Sequence, residues 1–375
     1  MIDTNNTVAG KNAVLHIEQR LLQTLVPVNS LTVDHLNTLL RNQSIEMVCR
    51  GQSLFSKGDY DNYHIYLLSG EVKLTDQDGV ESLANANDPG CRFPLVNYQP
   101  RRCDAIAETD CSVIRFNSDQ LDGMLAWDQA SDYIMLDIAA QRDLDEDADW
   151  MLTLLKSNLF YKVPPMNIRN VLKKFEAQCF AAGDTILRQG ELGDCCYFIK
   201  EGVAGVYQAN DKKNPSELVA ELGVGRCFGE DALVNEDVRN ATIVMHSNGV
   251  LMKLNKQDFF LLLKQPTVDS LNLTQARQRV SEGSYWVDVR TQDEYEKGHC
   301  DGAVNMPLNL LKLKSRMLDK QQHYIVYCNS ARRSEAAAYL LGEDGFNVSA
   351  LVGGFSNYSA SDQTYFEGVT SPLST

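Results

Sequence analysis

Apolar positions in the first two thirds of the chain fall in short alternating runs closed by glycine. The runs SKGDYDNYHIYLLSGEVKL (56–74) and RQGELGDCCYFIKEGVAGV (188–206) both read as strand, turn, strand. Gly58 aligns with Gly190 and Gly70 with Gly202, at a constant offset of 132. Farther on, SVIRFNSDQLDGML (112–125) matches VLMKLNKQDFFLLL (250–263) at an offset of 138, so the second copy carries six extra residues between Gly202 and position 243. Matching turn glycines between short alternating strands predict two small β-domains, barrels or sandwiches. Helical periodicity flanks them, in VDHLNTLLR (33–41), LDGMLAWDQASDYIMLDIAAQRD (121–143), and WMLTLLKSNLFYKV with MNIRNVLKKFEA (150–177).

From about residue 270 the pattern changes. SYWVDVR (284–290), HYIVYC (323–328) and NVSALVGG (347–354) read as strands, and NSARRSEAAAYLLGEDGF as a helix closing at Gly345. Strand–helix alternation predicts a small parallel α/β domain, with its chemistry beyond the carboxyl ends of the strands, where Cys328 falls. The expected division is 1–143, 144–265 and 270–358, then a mobile tail at 359–375: a multidomain α+β and α/β chain.

Composition narrows the functions. With 375 residues and 44% hydrophobic content, two to four cored domains are expected. The formal charge of -15 opposes binding of DNA over an open surface, so any anion must be held locally by a few placed groups. No apolar run approaches membrane-spanning length, and MIDTNNTVAGKNAV lacks the basic cap and apolar block of a signal peptide. The expectation is a cytoplasmic protein without membrane contact, whose ten cysteines are mostly reduced core thiols. No C-x-x-C pair occurs and the six histidines are scattered, so no metal site is expected. DLDEDAD (143–149) reads as a solvated helix end or linker.

Residues 228–243, FGEDALVNEDVRNATI, place one arginine, Arg239, among acids. It either pairs with Glu236 or Asp237 on a surface turn or serves as the fixed cation of an anion site. The second copy, roughly 150–265, resembles a cyclic-nucleotide-binding domain of the CRP-like β-roll type, and this stretch resembles that family's phosphate-binding cassette. The glycine ladder Gly183, Gly190, Gly202, Gly223 and Gly229 belongs to the resemblance. It implies two β-roll (jelly-roll-like) domains, with cAMP or cGMP as ligand and no covalent cofactor. Backbone N–H groups at a helix opening near Gly229 would face the phosphate, and Ala232 and Leu233 complete the cassette. Glu230 would take the ribose 2′-hydroxyl, and Arg239 the exocyclic phosphate oxygens. Asn240 and Thr242 would lie along the phosphate edge or purine; an Asn after the arginine departs from the usual small residue and leaves adenine against guanine open. In the first copy Phe93-Pro94-Leu95 replaces Phe228-Gly229-Glu230, while Arg101 and Arg102 stay near the arginine position. Pro94 removes a backbone donor, so this copy reads as a degenerate structural or dimerisation domain.

DVRTQDEYEKGHCDGAVNMPL (288–308) and YCNSARRS (327–334) resemble the rhodanese family of sulfurtransferases. The resemblance implies a Cys328 persulfide, a loop of Asn329, Ser330, Ala331 and Ser334, and Arg332 facing an anionic donor such as thiosulfate, with a thiol or cyanide as acceptor. Arg333 would brace the loop. The loop is C-x4-R, one residue shorter than in the related phosphatases, and Ala331 stands where the family has glycine. Asp288 and Arg290 read as a structural ion pair, Cys300 as a packed thiol and His299 as structural. Together the resemblances suggest a nucleotide sensor that modulates a sulfurtransferase through the helix after residue 255; the alternative is a non-catalytic signalling adapter. A transcription factor is disfavoured, because no helix-turn-helix follows residue 265. The helix at 121–143 is the expected place for a homodimer.

Overall fold

The computed structural model describes residues 19–41, 43–140, 150–151, 153–154, 164–209, 217–234, 237–263 and 266–358. Its two compact units meet in the chain between Leu121 and Asp122. The acidic run at 143–149, residues 155–163 of the third helical pattern, and the tail at 359–375 lie outside the described residues.

The first unit opens with helices α1 (Gln19–Leu22) and α2 (Val33–Leu40), the latter capped by the Thr32 side chain. Seven strands follow: β1 (Glu46–Val48), β2 (Ser53–Phe55), β3 (Tyr63–Ser69), β4 (Glu71–Thr75), β5 (Glu81–Asn85), β6 (Asp104–Ala107) and β7 (Cys111–Asn117). They form two antiparallel sheets, ordered β1-β7-β3 and β2-β6-β4-β5. Inward side chains such as Leu54, Ile65, Val72, Ala105 and Val113 fill the core between them. The alternating burial of β4 and β7 is what the sequence period of two demands.

The second unit repeats this topology. After α3 (Ser118–Ala140) and α4 (Ile168–Lys174) come β8 (Glu176–Phe180), β9 (Thr185–Leu187), β10 (Cys195–Glu201), β11 (Ala204–Gln208), β12 (Glu217–Leu222), β13 (Cys227–Phe228), α5 (Glu230–Val234), β14 (Thr242–Met245), β15 (Gly249–Asn255) and α6 (Lys256–Leu263). The sheet orders β13-β10-β15-β8 and β9-β14-β11-β12 match the first unit strand for strand, with β13 added at one edge. One boundary differs from expectation. The helical pattern of the sequence runs to Ala177, but Glu176–Phe180 is a strand, because Glu176 pairs opposite Lys253 and Phe180 opposite Gly249. Long-range pairing overrides the local period there.

The remaining elements are β16 (Ser270–Leu271), α7 (Leu273–Ser281), β17 (Tyr285–Asp288), α8 (Gln292–Lys297), β18 (Val304–Asn305), α9 (Leu311–Lys314), β19 (His323–Tyr327), α10 (Arg332–Glu343) and β20 (Asn347–Leu351). Their five strands form one parallel sheet, ordered β16-β20-β19-β17-β18. The fold class is therefore the expected one: two β-rolls, then a parallel-sheet α/β domain. One core cluster joins the second β-roll to this domain, running from Trp127 and Tyr133 through Phe198, Leu233 and Leu262 to Val326, Ala337 and Leu341. The α3 stretch 124–131 is buried without interruption inside the chain.

Candidate functional site

Arg239 is 3% exposed. Its Nη2 donates to Asp194 Oδ1 (2.9 Å) and to the Cys195 carbonyl (2.8 Å), and its Nη1 donates to the Gly229 carbonyl (2.7 Å). The acid beside it is therefore Asp194, from the turn before β10; Asp237 instead accepts the backbone N–H of Val238, and Glu236 lies outside the described residues. Burial pushes the Asp194 carboxyl up, but bonds from Cys195 and Arg239 outweigh it and hold the group below its ordinary range. Gly229 sits at φ +88°, and a Cβ there would come within 3.0 Å of Arg239 Nη1, so glycine is needed for the guanidinium to lie where it does. Among the described residues, Nε–H and one Nη1–H of Arg239 have no acceptor.

Arg239 lines a cavity of about 200 Å³ together with Leu187, Val206, Gly229, Glu230 and Asn240, among others. Ala232 reaches its edge, whereas Leu233 is wholly buried in the core behind α5. Thr242 does not line it; its hydroxyl accepts the Gln189 N–H (3.0 Å). Glu230 Oε2 is buried with no hydrogen-bond partner among the described residues. Burial, reinforced by the neighbouring Asp231, raises the Glu230 carboxyl above its ordinary range. An orphaned acceptor and an under-committed guanidinium thus converge on one cavity, a pairing suited to a ligand that brings both a hydroxyl and an anion.

Cys328 ends β19 and is wholly buried. Its Sγ lies 3.4 Å from the Ser334 N–H and 3.5 Å from the Ser334 hydroxyl, which itself donates to the Ala331 carbonyl (2.9 Å). The loop is braced from beneath. Arg333 forms a two-pronged pair with Glu294 (2.7 and 2.8 Å), and Glu294 also accepts from Asn329 (2.8 Å) and from both donors of Thr291. Arg290, paired with Asp288, donates to Asn329 Oδ1 (3.2 Å). Burial raises the Glu294 carboxyl, but Arg333 overrides it and brings the group down to about 2. Ser330 is half-buried and Arg332 exposed at the start of α10. Cys300 is buried and its thiol pushed far up by that burial, which suits packing rather than reaction. His299 stacks on Tyr295, with centroids 3.7 Å apart.

Ala331 takes φ +73°, the left-handed conformation its glycine counterpart would adopt without strain. Ala331→Gly is expected to raise domain stability by roughly 0.5–1 kcal/mol, the strain relieved exceeding glycine's extra backbone entropy. Thermal unfolding of the pair checks this; a lower midpoint in the variant contradicts it.

Residues 45–128 and 177–265 match the family model for a cyclic nucleotide-binding domain, and residues 272–361 that for a rhodanese-like domain. The chain carries two cyclic nucleotide-binding domains and one rhodanese-like domain. Similar proteins include cAMP-dependent protein kinase regulatory subunits from Eremothecium gossypii (26% identical, 65% of this chain and 49% of that one) and Yarrowia lipolytica (28%, 59% and 54%). Among solved structures, the regulatory domain of Toxoplasma gondii PKA with cAMP is 21% identical over 70% of this chain and 95% of that one, at a TM-score of 0.25. The chain spans about half the length of the curated relatives it matches. No helix among the described residues is long and apolar enough to cross a membrane.

The two cyclic nucleotide-binding domains differ at their arginines. Arg101, in the first, spends all five guanidinium donors inside the protein: on both oxygens of Asp61 and on the carbonyls of Tyr63, Leu95 and Val96. Asp61 occupies the position of Gly193 in the second copy, where a Cβ would come within 3.0 Å of Ala232, so the second domain has no side chain there to take up its arginine's remaining donors. Arg102 lies over the Tyr98 ring, 3.7 Å from its centroid. Four residues central to these sites have no role that the sequence alone assigns. Asp194 and Asp61 are far from their arginines in the chain. Glu294 stood inside the quoted DVR…GH motif, and its partner Arg333 lies 39 residues on. Gly354, at φ +71°, belongs to the glycine pair ending NVSALVGG; a Cβ there would overlap the Asn329 carbonyl.

Proposed function

We propose that the second cyclic nucleotide-binding domain takes cAMP or cGMP, and that this ligand modulates sulfur transfer at Cys328 of the rhodanese-like domain. The first domain, its arginine saturated by Asp61, is structural in this reading. What carries it is the convergence of the uncommitted Arg239 donors and the orphaned Glu230 oxygen on one cavity. The guanidinium takes the exocyclic phosphate, and Glu230 accepts from the ribose 2′-hydroxyl. At the other site, the Cys328 thiolate attacks the outer sulfur of thiosulfate. The sulfur–sulfur bond breaks, sulfite leaves with its electron pair, and Cys328 keeps the outer sulfur as a persulfide. A thiol, as its thiolate, or cyanide then takes that sulfur and Cys328 departs as thiolate. Ser334 N–H, already facing Sγ, steadies the negative sulfur, and Arg332 at the head of α10 meets the anionic donor.

Glu230 gives the nucleotide half a pH signature. A ribose hydroxyl favours the ionised carboxylate, so affinity is fully present above the raised Glu230 pKa and falls as pH drops through it, at a pH above 4.5. Isothermal titration with cAMP and cGMP across this range tests the reading, with Glu230→Gln alongside. The expected result is binding that weakens on acidification in the wild type and is weaker but flatter in the variant. Equal affinity and equal slope in both would remove Glu230 from the site. The complete burial of Cys328 favours one second reading, a rhodanese-like binding module that does not react; thiosulfate turnover that Cys328→Ser leaves unchanged at background level selects it.

A further inference from the structure

A sulfur donor cannot meet a thiol that is wholly buried, so the Cys328 loop must open before it reacts. That loop leads directly into α10, whose C-terminal end is tied to α3. At its far end the Tyr133 hydroxyl donates to Asp344 Oδ2 (2.5 Å), and Lys312 Nζ bridges Asp344 (2.8 Å) and Asp137 (2.7 Å). At its near end the Asp122 carboxylate acts electrostatically on Arg333. Asp122 and Tyr133 are eleven residues apart, as are Arg333 and Asp344, so the two helices run parallel and in step. Between these ends Ala130 on α3 and Ala336 and Ala337 on α10 are small residues of one buried core cluster.

The face is not uniformly satisfied. Asp122, Gln129, Tyr133 and Asp137 recur at intervals that place them on one side of α3. Tyr133 and Asp137 are bonded, whereas Asp122 Oδ1 and Gln129 Oε1 are buried without partners among the described residues. Buried orphan acceptors disfavour the packed arrangement, so the contact combines bonds that hold it with groups that gain from release into water. The nucleotide cavity reaches the same core: Leu233, on α5 three residues beyond Glu230, packs in one cluster with Trp127, Ala130 and Tyr133 of α3.

We propose that α3 is an autoinhibitory strap, which holds α10 and the Cys328 loop closed and is released by cyclic nucleotide acting through α5. The nucleotide half rests on the reading given above; the strap itself does not. Release requires the ligand to bind the unstrapped form more tightly, and a tenfold shift needs a tenfold difference in affinity.

The test uses the full chain and follows alkylation of Cys328 by iodoacetamide, mapped by peptide mass, with exposed Cys49 and Cys179 as internal references. Tyr133→Phe/Asp137→Asn cuts the strap from the α3 side and Lys312→Met cuts it from the other. Both are expected to raise the Cys328 rate tenfold or more without nucleotide, leave the reference cysteines unchanged, and, where nucleotide binds, tighten its binding by up to the same factor, as linkage requires. Rates within twofold of wild type in both variants overturn the strap. Saturating cAMP or cGMP is expected to raise the wild-type rate in the same sense and to add little in the variants. Nucleotide that binds without raising the rate overturns the nucleotide half alone. Absence of binding overturns that half together with the proposed nucleotide function, and the variant rates still decide the strap.

Discussion

Arg239→Ala is expected to weaken cyclic nucleotide binding about thirtyfold or more. Removing one member of a desolvated charge pair typically costs about 2–5 kcal/mol, and each 1.4 kcal/mol is about tenfold in affinity. Arg239 is nearly inaccessible, so its charge toward the cavity is little screened by water. It also ties together three elements of the site, bonding the turn before β10 through Asp194, β10 through the Cys195 carbonyl, and the start of α5 through the Gly229 carbonyl. Truncation removes the ligand's counter-charge and loosens the cavity wall at once. Titration calorimetry of the folded variant measures the loss. Undiminished affinity would mean that the ligand, if any, sits elsewhere. The equivalent substitution of Arg101 is expected to leave nucleotide affinity unchanged and to destabilise the first unit instead, because all five of its donors serve the fold.

Arg333→Met is expected to destabilise the rhodanese-like domain by about 3–5 kcal/mol, since it strands a buried carboxylate. Glu294 is 5% exposed and Arg333 1%. The pH dependence has a definite sign. With Arg333 present, Glu294 is depressed from 4.5 to about 2, so its stabilisation is complete above about pH 4.5 and is lost as pH falls through about 2. That interval corresponds to about 3 kcal/mol. In the variant the largest interaction opposing burial is gone, so the Glu294 pKa rises from about 2 and acidification narrows the deficit. Denaturant unfolding of both proteins between neutral and acidic pH, read on the rhodanese-like transition, checks both the size and the crossover. A variant whose deficit grows on acidification contradicts the assignment.

Much of this architecture was legible in the chain because it rests on local signals. The paired glycines and period-two runs marked two copies of one β-fold, and their sheets share one strand order. The cysteine at the end of HYIVYC, the helix after it and the glycines closing NVSALVGG marked the carboxyl edge of the third domain's sheet. The choice of ion partners was not legible. Arg239 had two acids close by in sequence and took a third, Asp194, 45 residues upstream, because the β-roll folds β10 beneath the cassette. The same long-range logic turned Glu176–Phe180 from a helical continuation into a strand. The packing of α3 lay further out of reach. Its apolar pattern announces a buried helix, but which helix covers it depends on packing between segments more than 200 residues apart. Order along the chain points to the segment after residue 255 as the lever; the bonded contacts from Tyr133 and Asp137 add α3 as the proposed strap.

The central claim is that nucleotide at the second domain governs sulfur transfer at Cys328. Its most direct test is the steady-state rate of thiosulfate-dependent sulfur transfer by the full chain, with and without a saturating cyclic nucleotide and with Cys328→Ser as blank. Coupling of about 1–3 kcal/mol corresponds to a change of roughly 5–150-fold, and an increase within that range is the result expected here. A Cys328-dependent rate that stays the same while calorimetry shows the nucleotide bound would contradict it.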